Sequence, residues 1–164
     1  MMTQTDIKTN SYLSFQVGTE IFAAKVSNVI NILEMTRITK VPKSPNFMKG
    51  VLNLRGSVLP VVDTRLKFGL AEAEYTANTC ILVLEIVSRK EVMRLGAIVD
   101  NVQEVLELSD NEIMPPPSIG TKYKTDILVG MAKKDDNFIM ILDVNKVFAD
   151  DEILNVKDIS NTIN

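Results

Sequence analysis

The chain has 164 residues, 46% hydrophobic and 24% charged, with a formal net charge of −3 and no histidine. That balance describes one ordinary globular domain or two small subdomains with a real core, and it excludes a disordered chain. The missing histidines exclude Ser-His-Asp and Cys-His catalysis, while a lone Cys80 leaves neither an internal disulfide nor a zinc site.

In chain order, the polar opening MMTQTDIKTN includes Asp6 and does not read as a signal peptide, so residues 1–10 are expected to be a flexible N-terminus. Residues 12–17 (YLSFQV) alternate and meet Gly18-Thr19, a hairpin signal, before the apolar 21–24. Residues 26–30 suit about one helical turn. The runs 51–54 and 58–62 flank Arg55-Gly56-Ser57 as a second hairpin. A third joins 80–87 to 93–99 across Ser88-Arg89-Lys90-Glu91, and a fourth joins 127–132 to 138–142 across 133–137. Pro115-Pro116-Pro117 reads as loop, because proline donates no ladder hydrogen bond. A short helix is expected over 143–148, and a helix or tail over 149–164.

Several chemistries have no carrier here. No apolar run approaches the roughly 20 residues that span a bilayer. Neither a GxxxxGK[ST] phosphate loop nor a GxGxxG fingerprint occurs. An acidic net charge gives no electrostatic reason to bind nucleic acid or anionic membrane. These features predict a soluble cytoplasmic protein without cofactor or metal.

The two halves echo each other. Gly50-Val51 precedes Leu59-Pro60-Val61-Val62-Asp63 and Phe68 at the offsets at which Gly130-Met131 precedes Ile139-Met140-Ile141-Leu142-Asp143 and Phe148. Residues 22–29 (FAAKVSNV) likewise resemble 95–102 (LGAIVDNV). Hydrophobic strands can look alike by chance. The stronger reading is an all-β fold of two similar five-stranded β-barrels around a shared core, within a domain over 11–148. The first barrel is expected over about 20–75 and the second over about 80–148, with the N-terminal strand as a possible addition.

Residues 41–70 (VPKSPNFMKGVLNLRGSVLPVVDTRLKFGL) hold no catalytic group that works alone and present one arginine beside a turn. By strand parity, Asn53 and Arg55 project from one face and Leu52 and Leu54 from the other. A guanidinium can bind carboxylates or the C-terminal carbonyls of a helix, although a lone arginine near a hairpin is more often simply solvated. Asp63 and Asp143 can be read as an acid–base pair, but their repetition points to caps on the turns that follow their strands. Val29, Val102 and Val105 are core residues by default, and Cys80 a small buried hydrophobe.

The run PNFMKGVLNLRGSVLPVVDTRLKFGL resembles the central signature of the CheW-like family, the coupling proteins of bacterial chemotaxis. The likeness extends to YLSFQVGTEIFAAKVSNVINI, RLGAIVDNVQEVLEL, MPPPS and ILVGMAKKDDNFIMILDVNKVF. It implies two five-stranded barrels with a short C-terminal helix, and a noncatalytic adaptor that joins the cytoplasmic tip of chemoreceptors to the histidine kinase CheA. The receptor tip, a helical hairpin, would dock in the groove between barrels. CheA's own CheW-like module would pack barrel end against barrel end. The adaptor would be a monomer in isolation and assemble in arrays at the inner face of the membrane, without inserting. A coupling role in a motility or developmental array is the alternative, followed by a carboxylate enzyme using Asp63 or Asp143.

Residue by residue, the resemblance places Arg55, Asn53 and Gly50 at the receptor site. Val29, Gly96, Val102 and Val105 fall on apolar groove positions, and Cys80 falls where relatives carry a small aliphatic residue. Asn31 stands where relatives often place a glutamate, so the receptor served is left open.

Overall fold

The structure, a computed structural model, describes residues 9–116 and 127–149. Its elements are β1 (Thr9–Val17), β2 (Glu20–Lys25), β3 (Val29–Glu34), β4 (Met48–Leu54), β5 (Ser57–Asp63), α1 (Thr64–Lys67), β6 (Cys80–Ser88), β7 (Glu91–Val99), β8 (Asn101–Ser109), β9 (Ile113–Met114), β10 (Leu128–Lys134), β11 (Asn137–Leu142) and α2 (Val144–Val147). The mainly-β expectation holds. All four hairpins form where the turn residues place them: β1–β2, β4–β5, β6–β7 and β10–β11. Three of their turns hold non-glycine residues at positive φ, namely Arg55 (53°), Arg89 (51°), Lys90 (64°) and Asp135 (55°). This left-handed backbone matches the twist of the flanking strands.

The strands form two sheets, ordered β8-β1-β2-β11-β10-β9 and β3-β6-β7-β5-β4. A 3-10 turn over Asp110–Glu112 joins β8 to β9, so one bent segment supplies both edges of the six-stranded sheet. In the five-stranded sheet, Thr39 lies beyond β3 and bridges Val51 of β4 through two hydrogen bonds of 2.8 Å. Each sheet therefore curls back on itself, which is compatible with two five-stranded barrels if the bent segment counts once. A glycine stands at each crossing. A Cβ on Gly50 would lie 2.0 Å from the Thr39 carbonyl oxygen, and one on Gly130 would lie 2.4 Å from that of Met114.

The echo is structural. Parallel β5–β7 pairing sets Val61 against Gly96, and β11–β2 pairing sets Ile141 against Ala23, the equivalent positions. The two hairpins that carry the crossing glycines each have an irregularity, between Met48 and Gly50 and between Leu128 and Gly130. The halves have, however, exchanged hairpins. β6 and β7 belong to the sheet of β3–β5, whereas β1 and β2 join β8–β11. The sheets consequently do not follow the 20–75 and 80–148 boundaries. A hairpin's turn fixes its internal register, while the edge it joins is decided by distant partners.

Thr9 and Asn10, expected in the flexible terminus, are paired with Ser109 and Leu108. The helical turn expected over 26–30 is a 3-10 turn at Val26–Asn28, after which Val29 and Ile30 already open β3. Residues 1–8, Pro117 and the tail beyond Ala149 lie outside the described residues.

Strand alternation separates three apolar clusters. Leu106, Ile139 and Ile141 fill the inside of the six-stranded sheet, and Leu59, Ile81 and Ile98 that of the five-stranded one. The largest cluster lies between the sheets and draws Phe15 and Val17 from β1, Leu84 from β6, Leu95 and Ala97 from β7, and Phe148 after α2.

Candidate functional site

Arg55 and Asn31 share a depression of about 410 Å³ at the turn end of the five-stranded sheet, with Ile30, Val58, Val92 and Arg94 around them. Its origin is in the sequence. Pro60 has no N–H, and the β5–β7 ladder covers only Val61, Val62 and Asp63. The equivalent ladder of the other sheet reaches Ile139, the counterpart of Leu59. Because β5 and β7 run parallel and each follows its turn directly, the Arg55 and Arg89-Lys90 turns lie at the same end.

Arg94 is paired with Glu85 across β6–β7 at 3.2 Å, whereas Arg55 makes no hydrogen bond or ion pair among the described residues. Asn31 Oδ1 accepts the Ile32 N–H at 2.8 Å, so its acceptor is engaged within β3. Asn53 Oδ1 accepts the Gly56 N–H at 2.8 Å and closes the turn. The parity expected of Asn53 and Arg55 is corrected here. β4 ends at Leu54, and Arg55 takes its direction from a left-handed turn position.

The remaining expected positions separate. Val29, Cys80 and Val102 are partly buried against the central cluster, along the seam between the sheets. Burial pushes the Cys80 thiol pKa up, and a backbone hydrogen bond from Val102 acts against it. Val105 is 58% exposed on β8. Gly96 is not on a groove surface. It is buried, and a Cβ there would meet Ile81 at 2.8 Å. Gly50 is likewise buried at the sheet crossing, where contact with a partner is closed to it. Ile30, Glu85 and Arg94 were missed from the sequence, and only the cross-strand spacing of Glu85 and Arg94 around one hairpin could have signalled them.

Asp63 and Asp143 each cap the helix after their own strand, accepting from Leu66 N–H at 3.4 Å and Lys146 N–H at 3.3 Å. Asp63 is 2% exposed, and burial raises its carboxyl pKa against the opposing pull of the cap bond and of Lys49. A raised folded pKa favours the protonated acid in the fold. The contribution is full below the unfolded pKa of about 4 and is lost as pH rises through the folded value. Asp63→Asn keeps an acceptor and is expected to be at least as stable as the parent at neutral pH, the difference closing on acidification. Asp63→Ala is expected to lose about 1 kcal/mol with its cap. Urea titrations at both pH values measure this, and a large neutral-pH loss in Asp63→Asn would mean that the charge itself is needed.

Among the described residues, no helix is long and apolar enough to cross a membrane, and no cluster of His, Cys, Asp or Glu could hold a metal ion.

Residues 11–152 match the CheW-like domain. The chain is similar to the chemotaxis protein CheW of Bacillus subtilis, with 33% identity over 144 residues covering 87% of this chain and 89% of that one. It is 32% identical over 140 residues to the chemotaxis protein CheW of Rhizobium meliloti, covering 85% and 88% of the two chains. Its fold is similar to the crystal structure of the scaffolding protein TtCheW from Thermoanaerobacter tengcongensis, with a TM-score of 0.77 and 29% identity over 88% of this chain and 96% of that one. With its repeated sheets, glycine crossings and Asn53–Gly56 turn all inside the matched region, the chain belongs to the CheW-like domain family.

Proposed function

We propose that this chain is a noncatalytic adaptor coupling chemoreceptors to the histidine kinase CheA in signalling arrays. The observation that supports this most is the family match over nearly the whole described chain, joined to a fold of the same shape as a scaffolding protein. In this reading the receptor tip lies along the seam of Val29, Cys80 and Val102, where an apolar helix face finds partly buried anchors. Arg55, without a side-chain partner among the described residues, supplies a forked donor set for a carboxylate or for helix C-terminal carbonyls. CheA takes the ends of the sheets. The chain works in the cytoplasm, at the inner face of the membrane through its receptors. Asn31, neutral where relatives often carry a glutamate, tunes which receptor sequence is accepted.

The test is capture of a receptor-tip fragment and a CheA regulatory fragment by the same purified protein. Failure to bind either removes the reading. Arg55→Ala is expected to weaken receptor binding by about 1–3 kcal/mol, roughly 5- to 150-fold, with much less effect on CheA. Equal losses of both partners would contradict a receptor-specific role for Arg55. Weak individual contacts suffice, since array multivalency supplies the avidity.

A further inference from the structure

Two ties fasten one sheet to the other, at equivalent places in the repeat. On one side Arg65 of α1 reaches Asp100, which follows β7: Nε lies 3.0 Å from each carboxylate oxygen, and Nη2 lies 2.9 Å from Oδ2. The same Oδ2 accepts the Gly18 N–H at 2.7 Å, and the Asp100 N–H donates to the Gln16 carbonyl at 2.9 Å. Gly18 (φ 64°) turns the β1–β2 hairpin, so a helix that follows the five-stranded sheet is fastened to a hairpin of the six-stranded one. On the other side Asn145 of α2 accepts the Val87 N–H of β6 at 2.9 Å. The offset of the repeat makes Asn145 the counterpart of Arg65, and the hairpin registers, which match Ser14 with Val83, make Val87 the counterpart of Gly18.

The two ties differ in kind. The Asn145 tie is one neutral hydrogen bond. The Arg65 tie is a forked, charge-assisted bond whose side chains are 26% and 27% exposed. Its position matters too: Cys80 pairs with Val99, Asp100 comes next, and Val102 follows two residues later. Two of the three seam residues therefore flank the carboxylate that Arg65 holds.

We propose that Arg65 is a positioning residue for receptor coupling, fixing the β1–β2 hairpin against α1 through Asp100 and so setting the spacing of the two sheets along the seam. This rests on the reading above that the seam takes the receptor tip. Arg65 need not touch the receptor. A receptor helix meets Val29 on one sheet and Val102 on the other, and their relative placement follows the tie.

The experiment measures sheet placement and binding in the same full-length proteins. Nitroxides are attached through a ketone-bearing unnatural amino acid at Thr19 and Lys90, exposed turn positions on opposite sheets, which leaves Cys80 untouched. The wild type is expected to give a narrow distance distribution. Arg65→Ala is expected to broaden or shift it and to weaken receptor-tip binding about tenfold, with CheA binding within twofold. Arg65→Lys, which keeps the charge and loses the fork, is expected to fall between, and Asn145→Ala to match the wild type. An unchanged distribution in Arg65→Ala, or equal loss of receptor and CheA binding, overturns the proposal. Failure of the wild-type protein itself to bind the receptor tip removes the receptor reading, and the coupling role of Arg65 with it, whatever the distances show.

Discussion

Gly50→Ala is expected to destabilise the fold by roughly 3–5 kcal/mol, because two penalties meet at one atom. The backbone at Gly50 has φ 141°, a conformation that L side chains rarely adopt. The added methyl would also stand 2.0 Å from the Thr39 carbonyl oxygen and 2.7 Å from its carbon, both backbone atoms that no rotamer change can move. Relief requires opening the Thr39–Val51 bridge, the contact by which the segment after β3 closes onto β4. Gly56→Ala is the control. Its φ is 86°, yet nothing lies within 4 Å of the new Cβ, so only conformational strain of about 1 kcal/mol remains. Urea midpoints of the two variants separate the effects. Equal, small losses would mean that the closure yields easily and that Gly50 is not its keystone.

Phe148→Ala is expected to lose about 3–5 kcal/mol by opening a cavity in the cluster between the sheets. Phe148 is 2% exposed and packs there with residues of both sheets, so its removal loosens their junction rather than one sheet alone. Its counterpart Phe68 is only partly buried, 5.0 Å from the Phe22 ring, and lines an apolar pocket of about 250 Å³. Phe68→Ala is therefore expected to lose distinctly less. Thermal unfolding of the pair checks the order, and an inverted order would misplace the centre of the shared core.

The four hairpins were legible because each rests on local signals, a turn that accepts left-handed backbone between alternating apolar runs. The caps were legible in the same way, since Asp63 and Asp143 recur at the starts of α1 and α2. β3 and β8 were not visible, for different reasons. β3 keeps its alternation, but its apolar start continues Val26–Asn28 and reads as one helical turn. In β8, Leu13 pairs with Val105 but Phe15 with Val102, and the inserted residue breaks the period of two on which strands are recognised. The hairpin exchange was invisible too, because no residue in Tyr12–Val17 encodes that its neighbour is β8. At the site, the sequence singled out Arg55 and Asn31, which share one depression, but not the ladder beside it, which starts only beyond Pro60. It also assigned Gly50 and Gly96 to a docking surface, since a glycine needed for close packing looks the same in a sequence as one left open for a partner.

The exchanged hairpins also set the order in which this protein can be made. β1 and β2 are synthesised before the other strands of this domain, yet their sheet partners, Asn101–Ser109 and Ile139–Ile141, come far later in the sequence. β3–β7 contain a whole sheet and can close while synthesis continues, whereas the N-terminal hairpin waits with its apolar side uncovered until almost the last strand appears. The earliest hairpin of the domain is thus among the last to be housed, and that interval is when a nascent chain of this design most needs a chaperone.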